Sequence, residues 1–325
     1  MRRWIGLAAR TAFGAAGLTF LAVTFWQTWD RSTEVLVPAW WRLVVAFVLL
    51  TVAMALTNRA WAQLLPPDVR GRSLSAGFYL SQLGKYVPGG VWQAIGQVGY
   101  ATRAEVSLPR AATAFVVFAF TQAGAGAVLG AGIAVLGTEL GGWLRLAALA
   151  PLAILVMLDR RWLVWVITWY RRRRPHPLVS TGPGAVDGDT TARADTREAV
   201  QELVPAQAAI LRAGAWCLGV ILAMGSAFAV LVTGLVPGVS FPTVVSGHAM
   251  AWMVGFVAVP FPSGLGIREA VHILLLGPSV GTATLIAASV YFRLAQMLAE
   301  LVLIAASRNW RAPARATTPR ERSGR

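Results

Sequence analysis

Lysine is nearly missing from this chain. Lys85 is the only one, and every other member of its 29 basic residues is an arginine. Cysteine also occurs once, at position 217, so no disulfide can close within the chain. Charged residues make up 13% of the 325, against about 25% in a soluble globular protein. No Gly-x-x-x-x-Gly-Lys-Ser/Thr phosphate loop occurs, which excludes an ATP-driven motor of that kind here. No pair of carboxylates and no His/Cys group has the spacing of acid–base machinery or of a metal site. Neither a catalytic residue, a metal nor a cofactor is expected, and the chain reads as a non-enzyme.

What is abundant is apolar sequence. Hydrophobic residues reach 56%, and the mean hydropathy is +0.60. That composition defines a polytopic membrane protein, and the length suits six to eight crossings at about 20 residues each. The net charge of +15 raises the question of nucleic acid. The arginines answer it. They collect in 1–10, 59–72, 160–174 and 308–325, at the ends of apolar runs. This is the pattern of cytoplasmic loops facing anionic headgroups, not of a nucleic-acid surface.

Apolar runs predict membrane helices at 5–26, 40–61, 111–136, 143–158, 207–236 and 282–307. The first follows Met1-Arg2-Arg3 and reads as a retained helix rather than a cleaved leader, because its run is too long for a signal core. Residues 160–170 alternate basic and aromatic side chains, as an interfacial segment does. The chain divides into a first membrane half (1–170), a polar cytoplasmic linker (171–206), a second membrane half (207–307) and a basic cytoplasmic tail (308–325). Arginine-rich segments placed inside put both termini in the cytoplasm of a cell-membrane protein.

Two segments interrupt the apolar pattern. One is Gly84-Lys85-Tyr86-Val87-Pro88-Gly89-Gly90-Val91-Trp92, flanked by half-length helices over 73–102. The other is Pro260-Phe261-Pro262-Ser263-Gly264-Leu265-Gly266-Ile267-Arg268-Glu269, within 243–276. Broken backbone survives at membrane depth only where protein buries it or a cavity hydrates it. Paired breaks in two halves point to a transport site. Pro88 and Pro262 are 174 positions apart, as are Gly90 and Gly264, Phe118 and Phe292, and Gln122 and Gln296. The expected fold is therefore an all-α membrane protein of six to eight helices. It is built as an inverted repeat with two re-entrant broken-helix hairpins.

The residues expected to hold substrate lie at these breaks and on the last helix. At the first break they are Lys85, Pro88, Gly89, Gly90 and Trp92. At the second they are Gly264, Gly266, Arg268 and Glu269. A half-helix N-terminus favours an anion, and an arginine there binds phosphate bidentately. The alternatives are a Lys85 that snorkels to the surface and a local Arg268–Glu269 ion pair. Arg293, Gln296 and Glu300 share one helix face, either lining a headgroup path or bonding to other helices. His248 and His272 read as proton carriers or as helix contacts. Gly126 and Gly130 form a Gly-x-x-x-Gly suited to close helix packing.

On these two motifs, with Tyr291-Phe292-Arg293-Leu294, the chain resembles the lysylphosphatidylglycerol synthase transmembrane region, or flippase-like membrane proteins, over about 73–303. Trp92 and Gln93 stand where many members carry an acidic residue and an arginine. The resemblance implies a flippase domain without lysyl transfer. Its partners would be lipids with anionic phosphate headgroups, either phospholipids or polyprenyl phosphates. The competing expectation is a non-catalytic membrane partner of a glycosyltransferase or other lipid-modifying enzyme.

Overall fold

The computed structural model describes residues 37–69, 71–86, 91–136, 141–173, 200–257 and 266–308. The expected helix at 5–26, most of the linker and the tail beyond 308 lie outside the described residues.

All regular structure among the described residues is helical. The α-helices are α1 (Trp40–Gln63), α2 (Arg72–Ser81), α3 (Trp92–Arg103), α4 (Leu108–Ala131), α5 (Ile133–Leu136), α6 (Gly142–Ala147), α7 (Arg160–Arg173), α8 (Gln207–Leu235), α9 (Phe241–Val257), α10 (Ile267–Val280) and α11 (Thr282–Ala306). Four stretches are long and apolar enough to cross a membrane: α1, α4 with α5, α8 with the turn before it, and α11. A bent pair formed by 142–156 and 160–169 raises the number to five. The protein is thus membrane-embedded.

The predicted helix at 143–158 is corrected. It is a short α6 followed by a 3-10 stretch, Ala150–Leu158. Pro151 has no N–H to give to Ala147, so the α-helical ladder fails there. Asp159 then accepts a hydrogen bond from the Arg161 amide at 2.8 Å and caps α7. The chain turns by 72° between the two parts.

Helix α8 is the centre of the packing. Its 29 residues reach about 43 Å at 1.5 Å each, enough to traverse the hydrocarbon core with length to spare. It packs along α1 and against α4, α9 and α11. Phe228, Ile221 and Leu231 on it are fully buried. Trp61 of α1 meets Phe115 and Phe118 of α4 edge-on, with ring centroids at 6.5 and 5.6 Å. Helices α2 and α3 fold back on each other, as do α9 and α10. Two antiparallel half-length pairs therefore flank the long helices.

The Gly-x-x-x-Gly of α4 packs as expected. A Cβ on Gly130 would lie 2.9 Å from the Met250 backbone, and one on Gly126 would lie 2.8 Å from Met253 Cβ. The two helices touch through backbone, which apolar lipid cannot drive apart at low cost. Gly130→Val should therefore destabilise the protein by about 1–3 kcal/mol, the usual cost of overpacking. Gly214→Ala, whose Cβ meets nothing within 4 Å, is the control. Melting of the purified variants in detergent checks this; equal melting temperatures would mean that α4 and α9 separate freely.

Candidate functional site

Each break delivers charge to α11. From the first, Lys85 Nζ makes an ion pair with Glu300 Oε1, and the Tyr86 hydroxyl donates to Glu300 Oε2 at 3.0 Å. From the second, Glu269 Oε1 accepts from Arg293 Nη2 at 2.6 Å and from Arg293 Nε at 3.1 Å. Glu269 Oε2 accepts the Gly266 amide at 2.8 Å. Arg293 and Glu300 sit seven residues apart, about 10 Å along the α11 axis. One helix thus holds the ends of both breaks.

Local sequence explains each placement. Gly84 lies where the two arms of the first hairpin touch, and a Cβ there would sit 2.6 Å from the Gln93 amide nitrogen. Across the same arms Gln93 Nε2 donates to Gln82 Oε1 at 3.1 Å. Gly266 caps α10 with φ of 81°, a conformation that costs glycine little. That turn lets Glu269 reach back to the Gly266 amide, as in a capping box. Glu269 is then committed to Arg293 and to its own helix start. The local Arg268–Glu269 pair considered from sequence does not form.

Arg268 takes another course. Its guanidinium carbon lies 5.7 Å from the centre of the Trp252 ring, in the range of a cation–π contact. Its stem crosses α9 at Gly255, where a Cβ would come within 2.6 Å of Arg268 Cγ. Its Nε is buried without a hydrogen-bond partner. The electrostatic neighbours of Arg268 include Arg293, Glu269 and Glu300, and those of Lys85 include Arg268 and Arg293. The cluster holds three cations and two carboxylates. Lys85 and Arg293 each have a carboxylate, and Arg268 is the surplus positive charge.

The other expected site residues fall as follows. Lys85 is only 15% exposed and turns inward to Glu300, so it does not snorkel. Trp92 opens α3 with its ring half exposed. Gln296 is half-buried on the α11 face between Arg293 and Glu300. Pro88, Gly89, Gly90 and Gly264 lie outside the described residues.

Sequence reasoning did not find Tyr86, Trp252, Gly255 or Ser289 as site residues. Ser289 stands one turn before Arg293 on α11, buried, with its hydroxyl unpartnered. Its i, i+4 relation to Arg293 is the signal that would have included it. Buried polar atoms without partners also occur at Asn58, Gln82 and Gln97, around the first hairpin.

No family model matches the chain, and no curated protein matches it.

Removing one partner of a buried ion pair leaves the other charge stranded, at about 3–5 kcal/mol. Glu300→Leu should therefore melt the protein at markedly lower temperature. Lys85→Met combined with Glu300→Leu should lose less than the sum of the two single changes. A double-mutant cycle on thermal unfolding in detergent measures this. Strict additivity would show that Lys85 and Glu300 do not depend on each other.

Proposed function

We propose that this chain is a lipid translocator for lipids whose headgroup carries an anionic phosphate. The observation that supports the reading most is Arg268, a largely enclosed guanidinium with a surplus charge at the start of a half-helix. An ionised side chain within a membrane-embedded protein is costly and calls for a partner. Arg268 stands in the first turn of α10, and a helix start that carries an arginine suits a phosphate. A lipid would place its phosphate there while its tails stay in hydrocarbon.

The rest of the reading follows from the sequence. Six crossings carry the chain, with both termini in the cytoplasm of a cell membrane. The unit α1–hairpin–α4 recurs upside down as α8–hairpin–α11, in keeping with the constant offset of 174 residues. The two repeats rock against each other to open the phosphate site to either leaflet. The chain would then be a stand-alone member of the flippase-like family that its motifs resemble. Trp92 and Gln93 would give its first hairpin a less charged lining than many members have.

Arg268→Ala should abolish transport of fluorescent phosphatidylglycerol and of a polyprenyl phosphate in proteoliposomes. It should lower the melting temperature only slightly, because Arg268 gives up its contact with the Trp252 ring but no hydrogen bond at Nε. Normal transport by this variant would make Arg268 structural. Folded wild type that moves neither lipid would favour the non-catalytic partner of a glycosyltransferase instead.

A further inference from the structure

Behind the ion cluster lies a second buried polar group that the phosphate site does not use. His248 of α9 and His272 of α10 are 1% and 3% exposed. His272 Nε2 and His248 Nδ1 share a hydrogen bond of 3.2 Å, and the rings stack at 5.2 Å. Phe228 lies flat on His272 at 4.3 Å, and Phe292 stands 4.8 Å from His248. The other two nitrogens, His248 Nε2 and His272 Nδ1, have no partner.

That count separates a structural contact from a working one. Two neutral imidazoles carry two N–H donors and two lone pairs. Their shared bond uses one of each. Whichever tautomers are present, one N–H and one lone pair stay unmet in an aromatic cage. Each unmet group costs about 1–3 kcal/mol, and a leucine pair would avoid the cost. The unmet lone pair is a place where a proton can bind. A proton added at His272 Nδ1 makes an imidazolium that still donates through Nε2 to His248 Nδ1. Transfer of the shared proton to His248 moves the positive charge onto the second ring. No bond other than N–H changes, and no electrons are transferred.

The charged groups around the pair tie it to Arg268. Helix α8 presents Phe228, and α9 presents nothing ionisable beyond His248 itself. Helix α10 brings Arg268 and Glu269, and α11 brings Arg293. His272 follows Glu269 by three residues and Arg268 by four, on one helix face. Two arginines against one carboxylate leave the neighbourhood one positive charge in excess. A phosphate at Arg268 cancels that excess and makes room for one more proton.

We infer that His248 and His272 form the proton site of this translocator, so that an anionic lipid headgroup and a proton bind together and cross together. The inference rests on the translocator reading above. It names the coupling ion, which that reading leaves open. Linkage fixes the sign and the reciprocity: lipid binding favours proton uptake, and acid on one side favours lipid binding from that side. For one linked proton the effect is bounded at about tenfold per pH unit.

The test uses the full chain in proteoliposomes with fluorescent phosphatidylglycerol and a trapped pH dye. Wild type should move the lipid several-fold faster from the acidic side under a gradient of about one pH unit, within that bound. The dye should report proton entry only when phosphatidylglycerol is present. In His272→Gln and His248→Gln the ratio of rates with and without the gradient should fall to one, whatever their absolute rates. Wild-type translocation that ignores the gradient and carries no protons would overturn the coupling while leaving the translocator standing. A gradient response that survives both substitutions would overturn the assignment to this pair. Wild type that moves no lipid at all would remove the translocator and the coupling with it. The wild-type dye signal needs no variant to fold.

Discussion

Two buried ion pairs on one helix hold the architecture of this protein. Arg293 and Glu300 stand on the same face of α11, and each takes its counter-ion from a different break. The consequence is mechanical as well as electrostatic. The first hairpin cannot leave α11 without stranding Glu300, and the second cannot leave without stranding Arg293. In a low-dielectric surrounding either separation costs several kcal/mol. The described residues beside each break are therefore tied to α11 by side chains.

The same constraint isolates Arg268. Glu269 is adjacent in sequence, yet both of its oxygens are engaged by Arg293 and by the Gly266 amide. Glu300 is engaged by Lys85 and Tyr86. Arg268 is left to the face of Trp252, a weaker partner than a carboxylate. Gly255 permits that approach. The surplus charge thus arises from how the neighbouring pairs are shared out. No single residue type at position 268 would announce it.

The long helices were legible in the sequence because length and apolar composition alone specify them. The runs expected at 40–61, 207–236 and 282–307 appear as α1, α8 and α11 within two residues at either end. The half-length helix pairs on either side of the two breaks were legible because proline and glycine interrupt hydrocarbon-length runs. The change from α-helix to a 3-10 stretch within 143–158 was not, since one proline in an apolar run does not by itself end a membrane helix. The polar face of α11 could be read from the i, i+3 and i+7 spacing. Its partners could not, because Lys85 and Glu300 are 215 residues apart and nothing local pairs them. Adjacent residues of opposite sign, such as Arg268 and Glu269, mislead for the same reason. On a helix the i, i+1 side chains point away from each other, so the nearer partner in sequence is the worse one in space.

Charge balance bears on which lipid suits such a site. With Lys85 and Arg293 compensated, the cluster offers one positive charge. On the translocator reading, a phosphodiester headgroup with a single negative charge would neutralise it without disturbing either pair. A zwitterionic headgroup brings an ammonium as well and would leave the surplus in place. A phosphomonoester carries up to two negative charges and would need a second positive partner. Lys85 could supply one only by releasing Glu300, which detaches the first hairpin from α11. The histidine pair could supply one by holding a proton, which leaves both hairpins attached. The two routes differ in what moves: the first trades an ion pair for the ligand, and the second adds a charge to an intact frame. Because breaking a buried pair costs several kcal/mol, a doubly charged headgroup would favour the route through the histidines. Selectivity among anionic lipids would then depend on pH through the same residues that bind the proton.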